Sequence, residues 1–217
     1  MPRMNPPQNI WQLLALVVTV LVVVFVRIYG KGGGPSSTPG TSGQPTPRTS
    51  KTEGRWERIE GWKLEDDRAN DGDSFALSHG GETHTFRLYF ADCPEKYRHQ
   101  YNGDRIAEQG AYFGGLTEEA TIVIGVQAKE FALDLLKKGP VTLETRWSAV
   151  YDSGRFYAYV KVGGQDLAEA LVSRGLARIH TIGVDRMDGT PNRDQRNRLL
   201  QLEREAKAKK RGAWSAH

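Results

Sequence analysis

The sequence predicts an α+β domain, mainly β, in which five short strands close into a small barrel with about three helices packed beside it. Two observations predict this fold. Strand-like runs and helical patterns succeed one another over residues 55–217, and the strands are short and separated by glycine turns. A third observation, an apolar run near the N terminus, predicts that a transmembrane helix precedes the domain.

A hydrophobic segment begins at residue 10 and extends to residue 30. Between positions 10 and 26 only Gln12 and Thr19 are polar. At 1.5 Å per residue this run covers roughly 25 Å, slightly less than a hydrocarbon core, but a following arginine can snorkel. We therefore expect residues 10–28 to anchor the chain in a membrane. The alternative is a cleaved signal peptide, which the weakly charged start and the lack of an Ala-x-Ala site disfavour.

Residues 31–54 consist mostly of Gly, Ser, Thr and Pro and contain no large apolar residue. Such a composition cannot repay the entropy lost on ordering, so it predicts a flexible, disordered linker. The three predicted parts are thus the anchor at 1–30, the linker at 31–54 and a globular domain at 55–217.

Three strands are predicted at the start of the globular domain, at residues 55–64, 74–77 and 83–90. The first alternates Trp and charged residues, which is typical of an edge or twisted strand. Gly80-Gly81 joins the other two and is a hairpin signal, because both glycines accept a positive φ.

A long helix is predicted next, at residues 117–138. Thr117 can cap its N terminus, two glutamates favour the positive end of its dipole, and Gly139-Pro140 ends it. Paired strands follow at 141–150 and 156–162, around the turn "YDSGR". Two amphipathic helices complete the domain, at 165–174 and 194–211, each followed by a glycine.

The net positive charge of the chain lies in its first 54 residues. Of 30 basic and 26 acidic residues, five basic and one acidic precede residue 55, so the globular part holds 25 of each and is neutral. Net positive charge of the domain is therefore no evidence for a polyanionic ligand. The single cysteine, Cys93, excludes an intrachain disulfide, and the five histidines lack the spacing of a zinc site.

Five ionisable residues fall where a small barrel would bring strand ends together. Asp73 enters the second predicted strand, Arg87 lies in the third, Asp92 and Glu95 follow it, and Arg155 opens the fifth. Two neighbouring carboxylates need a cation, and an all-oxygen ligand set favours Ca²⁺ or Mg²⁺. Two converging arginines suit a phosphate, and a third carboxylate could act as general base on water. Together these groups are the components of phosphodiester hydrolysis.

Each residue alone has a simpler explanation, because loop carboxylates and strand arginines are usually solvated. The stretch "DGDSF" at 71–75 is a common turn sequence, in which Asp71 caps its own backbone. The prediction therefore depends on the whole group and not on any single motif.

The segments "DGDSF", "FRLYFADCPE", "YDSGRFYAYV", "DLAEALVSRGLARI" and "EREAKAKKRGAW" resemble, in this order, those of the staphylococcal nuclease (thermonuclease-like) family. The resemblance covers residues 55–214. It implies an OB-fold barrel with three helices and a Ca²⁺-dependent endonuclease that acts on DNA and RNA and leaves 3′-phosphate ends. Other divalent ions are possible cofactors.

The resemblance also implies roles for individual residues. Asp73 and Asp92 resemble the carboxylate metal ligands, and Cys93 takes the position whose backbone carbonyl also binds the metal. Glu95 resembles the general base. The pair that grips the scissile phosphate corresponds to Arg87 and Arg155, whereas Asp71 resembles a turn residue.

Two features depart from the family pattern. "YDSGR" has one residue fewer than usual before Arg155, and we expect Tyr151 to take the place of the missing aromatic and to bind substrate. The stretch 96–126 is longer than in the smallest members and mixes aromatic and basic residues, among them Arg105 and Tyr112. These could bind single-stranded substrate by stacking and charge. Alternatively, the stretch is an ordered flap whose aromatics pack on the barrel.

The leading expectation is a membrane-tethered, metal-dependent nuclease with a monomeric catalytic domain that prefers single strands. One alternative is an inactive OB-fold module that binds single-stranded nucleic acid or a protein. Another is a purely structural Ca²⁺ site, which would leave Glu95 and both arginines without a role. Since an unspecific nuclease is hazardous to its own genome, we expect the domain to be extracytoplasmic, or secreted if the leader is cleaved.

Overall fold

A computed structural model describes residues 54–216 of the chain. The predicted anchor at residues 10–28 and nearly all of the predicted linker lie outside this range. Within residues 54–216, no helix is long and apolar enough to cross a membrane.

The secondary structure alternates between strands and helices. In chain order the elements are β1 (Glu57–Leu64), β2 (Ser74–His79), β3 (Glu82–Leu88), β4 (Ala91–Asp92), α1 (Gly103–Tyr112), α2 (Glu118–Lys138), β5 (Val141–Ala149), β6 (Arg155–Val162), β7 (Gln165–Asp166), α3 (Leu167–Ser173), β8 (Arg178–Ile179), α4 (Asn192–Ala208) and a 3₁₀ turn (Gly212–Ala216).

Five strands form a closed barrel, as the sequence predicts. Their order is β3-β2-β1-β5-β6, and a parallel pairing of β3 with β6 closes the ring. All other pairings within the ring are antiparallel. The predicted hairpin between β2 and β3 is present, with positive φ at Gly80 and Gly81. The small antiparallel pair β4–β8 lies outside the ring.

Apolar side chains of the strands fill the barrel and meet the helices that cover it. Phe75, Leu77, Phe86, Leu143 and Val160 are all buried. Each of them alternates with a residue on the opposite face of its strand, so one face of every strand is available for the core.

The described residues contain four α-helices, one more than predicted. The additional helix, α1, lies in the stretch 96–126. The sequence did not predict this helix because glycine disfavours helices: Gly103 and Gly110 lie inside it, and Gly114-Gly115 follows it. Gly110 is required by packing, because a Cβ there would lie 2.6 Å from the carbonyl oxygen of Leu116.

The other helices agree with the prediction apart from their ends. Thr117 caps α2 by accepting a 3.2 Å hydrogen bond from the amide of Ala120. The helix predicted at 165–174 begins only at Leu167, because Asp166 caps it and pairs with β6 as part of β7. The last helix ends at Ala208, three residues earlier than predicted.

Candidate active site

The barrel brings the two predicted phosphate-binding arginines onto neighbouring strands. In the parallel pair β3–β6, Arg87 lies opposite Tyr157 and Arg155 lies opposite Thr85. The two arginines are therefore two positions apart in register and share a face. The Oγ atom of Ser74 accepts hydrogen bonds from Nη1 of both, at 3.2 Å each.

Arg87 also joins the two predicted metal-binding carboxylates. Its Nη1 lies 3.1 Å from Oδ1 of Asp73, and its Nη2 lies 2.5 Å from Oδ1 of Asp92. All three side chains are buried. The two aspartates lie together as predicted, but not through neighbouring barrel strands: Asp92 lies in β4, outside the ring, and Arg87 bridges the two carboxylates.

Asp92 is the most heavily bonded carboxylate of the site. Its Oδ1 accepts from Arg87 and, at 2.5 Å, from Nη2 of Arg105. Its Oδ2 accepts from Nε of Arg178 at 2.7 Å and from Nε2 of Gln109 at 3.2 Å. A carboxylate offers about four acceptor positions, so these four donors fill them.

Asp73 is also fixed by the loop that follows β4. Its Oδ2 accepts a 2.7 Å hydrogen bond from the backbone amide of Cys93. The carbonyl of Cys93, the predicted third metal ligand, accepts a 3.0 Å bond from Gln109. Asp71 lies in a turn, as predicted, and its Oδ1 accepts from the amide of Gly72.

Glu95, the predicted general base, lies at the edge of the same group of residues. Its Oε1 accepts a 2.6 Å hydrogen bond from Nε of Arg105, and its backbone amide donates to Gln109. Its backbone rests on α2 at Gly125, where a Cβ would lie only 2.4 Å from the Glu95 carbonyl oxygen. Helices α1 and α2 thus hold Glu95 from two sides.

A cleft of about 370 Å³ opens over these groups. Its charged lining consists of Arg87, Asp92, Glu95, Arg105 and Arg155, and its remaining lining is Val150, Tyr151, Tyr157, His180, Thr181 and Ile182. The shortened "YDSGR" turn therefore still delivers Arg155 to the cleft. Tyr151 and Gly154 both have a positive φ in this turn.

Two residues predicted as substrate-binding lie in different places. Tyr151 is exposed and lines the cleft. Tyr112 is not among the lining residues; its hydroxyl donates to the carboxylate of Glu203 and accepts from the amide of Ile179. The adjacent Phe113 is buried, so this part of the 96–126 stretch packs on the domain.

Burial and charge push the pKa values of the aspartates apart. Burial raises the pKa of Asp73, and the nearby guanidinium of Arg87 offsets this only in part. Burial opposes the ionisation of Asp92 as well, but the surrounding guanidiniums, Arg105 first among them, keep its pKa below the usual range. Burial and the charge of Asp73 raise the pKa of Asp71 to about 6. Carboxylates whose pKa values differ in this way, beside specific charged partners in a cleft, are typical of functional sites.

The oxygen atoms of the site are the candidate ligands for a divalent cation. Residues 54–216 contain no group of three or more His, Cys, Asp or Glu side chains arranged to hold a metal. The candidate ligands are instead two carboxylates and one backbone carbonyl. Asp73 accepts three bonds and the carbonyl one, so each has an acceptor position left. The oxygen set therefore fits a hard cation, provided that one donor leaves Asp92.

Sequence reasoning missed two residues of the site, Gln109 and Arg178. Gln109 belongs to the unpredicted helix α1. Arg178 lies in "GLARI", a segment used only for the family resemblance, and its side chain is almost completely buried against Asp92. The sequence did contain a signal for Arg178. It is a charged residue within an apolar run that follows a helix, and such a residue needs a buried partner.

Comparison with known proteins gives one family and several relatives. The family described as staphylococcal nuclease homologue matches residues 85–216. Two proteins of Bacillus subtilis (strain 168), the SPbeta prophage-derived endonuclease YokF and endonuclease YncB, are each 27% identical over 150 residues, or 69% of this chain. The aligned parts are 43% of YokF and 60% of YncB, so the chain spans about half the length of these curated relatives.

Proposed function

Because the chain belongs to the family of staphylococcal nuclease homologues, we propose that it is a metal-dependent endonuclease that hydrolyses phosphodiester bonds of DNA and RNA. One observation carries the proposal: Arg87, Arg155 and Glu95 line a single cleft directly beside Asp92. Two guanidiniums and a carboxylate around one cavity provide phosphate binding and a proton acceptor within the same small volume.

In the proposed reaction, Arg87 and Arg155 hold the non-bridging oxygens of the scissile phosphate through their guanidinium forks. Glu95 accepts a proton from the water that attacks phosphorus, and the two arginines stabilise the charge that develops on the phosphate oxygens. The bond between phosphorus and the 5′ oxygen breaks, the departing 5′ oxygen takes a proton from solvent water, and a 3′-phosphate end remains. Asp73, Asp92 and the carbonyl of Cys93 would hold Ca²⁺, or another divalent ion, which supplies further positive charge beside the phosphate.

Single-stranded substrate is proposed on the basis of the exposed aromatic ring at the rim of the cleft. Tyr151 is 87% exposed, and the ring of Tyr157 lies in the lining. Unpaired bases stack on such rings, whereas the bases of a duplex are already stacked on each other. This preference is tested by comparing the cleavage of matched single-stranded and duplex substrates.

The experiment for the activity uses the full chain, purified in detergent, and end-labelled single-stranded DNA. We expect cleavage in Ca²⁺ and none in excess chelator. Glu95→Gln should lower turnover by about 10²- to 10⁴-fold, as expected for a general base. Glu119→Gln, an exposed change of the same kind on α2, should have no effect.

Intact DNA in Ca²⁺, Mg²⁺ and Mn²⁺ alike would refute the proposed activity. Tight binding of the DNA without cleavage would instead identify the alternative, a nucleic-acid-binding barrel without catalysis. A Glu95→Gln variant as active as the wild type would remove Glu95 from the mechanism but leave the nuclease assignment in place.

A membrane tether and an extracytoplasmic catalytic domain are part of the same proposal. Both rest on the apolar sequence of residues 10–28 and on the hazard of an unspecific nuclease to the genome of its own cell. Protease added to intact cells should digest the domain. Its protection until the cells are lysed would place the domain on the cytoplasmic side.

A further inference from the structure

Helix α1 contacts the predicted general base and two of the three candidate metal ligands. Arg105 bridges two carboxylates, with Nη2 at 2.5 Å from Asp92 and Nε at 2.6 Å from Glu95. One turn later, Gln109 donates to Asp92 and to the carbonyl of Cys93, and accepts from the amide of Glu95. A single helix therefore supplies donors to the general base and to two of the three candidate metal ligands.

These contacts leave Asp92 without a free acceptor position. A cation can reach Asp92 only if one of its three arginines, or Gln109, gives up its hydrogen bond. A divalent cation and a guanidinium that contact the same carboxylate oxygen would lie only a few ångströms apart. Their charges would repel each other, so the two cannot share that oxygen without a large energetic cost.

Arg105 is the arginine best placed to leave. Its side chain is 38% exposed, whereas those of Arg87 and Arg178 are 10% and 2% exposed. A partly exposed guanidinium can return to water when it leaves Asp92, whereas a buried one cannot regain its hydration. Arg105 can also keep its second partner, Glu95, when it moves.

We propose that Arg105 is a displaceable counter-ion, which neutralises Asp92 and Glu95 in the metal-free protein and competes with the divalent cation for Asp92. The proposal rests on the function proposed above. Its consequence is that Arg105 lowers the affinity of the site for cations, so the protein binds Ca²⁺ more weakly than its oxygen ligands alone would allow. Arg105 is in this sense a residue that determines metal affinity and does not itself ligate the metal.

The test is calorimetric titration of the full chain in detergent with Ca²⁺, without substrate. Arg105→Gln should bind Ca²⁺ at least about tenfold more tightly, because it removes one competing positive charge from the site. Arg105→Lys keeps the charge and should stay close to the wild type. Arg198→Gln removes an arginine that is 48% exposed and paired with Glu169 on another face of the domain, and should not change the affinity.

Thermal unfolding in chelator serves as the control for folding of each variant. Unchanged or weaker Ca²⁺ binding by a folded Arg105→Gln variant overturns the counter-ion proposal, and shows that Arg105 helps to build the site. If the wild type cleaves DNA in Ca²⁺ in that case, the proposed function still stands. If no variant binds Ca²⁺, Mg²⁺ or Mn²⁺, both the counter-ion and the metal dependence are refuted.

Discussion

The Nε atom of Arg178 donates a 2.7 Å hydrogen bond to Oδ2 of Asp92, and both side chains are almost completely buried. The two residues pair through the short strands β4 and β8, where Asp92 lies opposite Arg178. The Nη1 atom of Arg178 also donates a 2.9 Å hydrogen bond to the carboxylate of Glu108 on α1. This ion pair therefore connects Asp92, a candidate metal ligand, with the β4–β8 pair and with helix α1.

Asp92→Asn should destabilise the domain by about 3–5 kcal/mol, because it leaves the guanidinium of Arg178 buried beside a neutral partner. Urea unfolding followed by circular dichroism measures this loss. Asp134→Asn, an exposed change on α2, is the matched control and should alter stability by less than about 0.5 kcal/mol. Adding Arg178→Met to Asp92→Asn should recover part of the loss; strictly additive losses would contradict a coupled pair.

Arg155→Ala should lower turnover on single-stranded DNA by about 10³-fold or more, as found for arginines that stabilise charge in phosphoryl transfer. Initial rates at saturating Ca²⁺ measure this. Arg198→Ala removes a remote arginine and should leave the rate unchanged. A loss of less than tenfold for Arg155→Ala would mean that the shortened turn places Arg155 in the cleft without using it for catalysis.

Gly125→Ala should lower both stability and turnover. In an open helix this change would stabilise by up to about 1 kcal/mol, but here the new Cβ would lie 2.4 Å from the carbonyl oxygen of Glu95. We expect a net destabilisation of about 1–3 kcal/mol together with slower cleavage, because the backbone of Glu95, the proposed general base, must shift. Val126→Ala, at the next and more exposed position, is the control for both measurements. A stabilised, fully active Gly125→Ala variant would contradict the close contact.

Stability should fall at alkaline pH because of buried tyrosines. Burial raises the pKa of Tyr89 from 10.0 to about 12. The unfolded chain releases this proton more easily, so the stabilisation is complete below pH 10 and is lost as the pH rises towards 12. Unfolding midpoints at pH 9 to 11.5 should therefore fall less steeply for Tyr89→Phe than for the wild type. Tyr101→Phe, which changes an exposed ring, should show the slope of the wild type.

The barrel could be predicted from the sequence because its signals are local. The Gly80-Gly81 hairpin and the Thr117 cap each depend on a few neighbouring residues, and both occur where predicted. Helix α1 could not be predicted in this way. Gly103 and Gly110 disfavour a helix locally. Glycine is needed at these positions because a Cβ at Gly103 would clash with the side chain of Arg98, and one at Gly110 with the backbone of Leu116.

The sequence predicted the charged residues that line the candidate site, but it predicted neither their bonding nor the part played by Gln109 and Arg178. The spacing of Asp73, Asp92 and Glu95 along the strands indicated a cluster, and the family resemblance indicated their roles. No local pattern shows that Arg105 bridges Asp92 to Glu95, or that Arg178 pairs with a residue 86 positions earlier. Such contacts depend on how the barrel closes, which periodicity does not encode.

The parallel pairing of β3 with β6 has a consequence for synthesis. Asp73, Arg87 and Asp92 leave the ribosome early, but the ring stays open until the strand beginning at Arg155 has been made. Asp92 then still lacks Arg178, the most deeply buried of its three arginine partners. A nascent chain that stops before β6 therefore has an open barrel, and one that stops before β8 has a buried aspartate with part of its compensating charge missing. The candidate site is completed only near the end of translation, as a property of the finished domain.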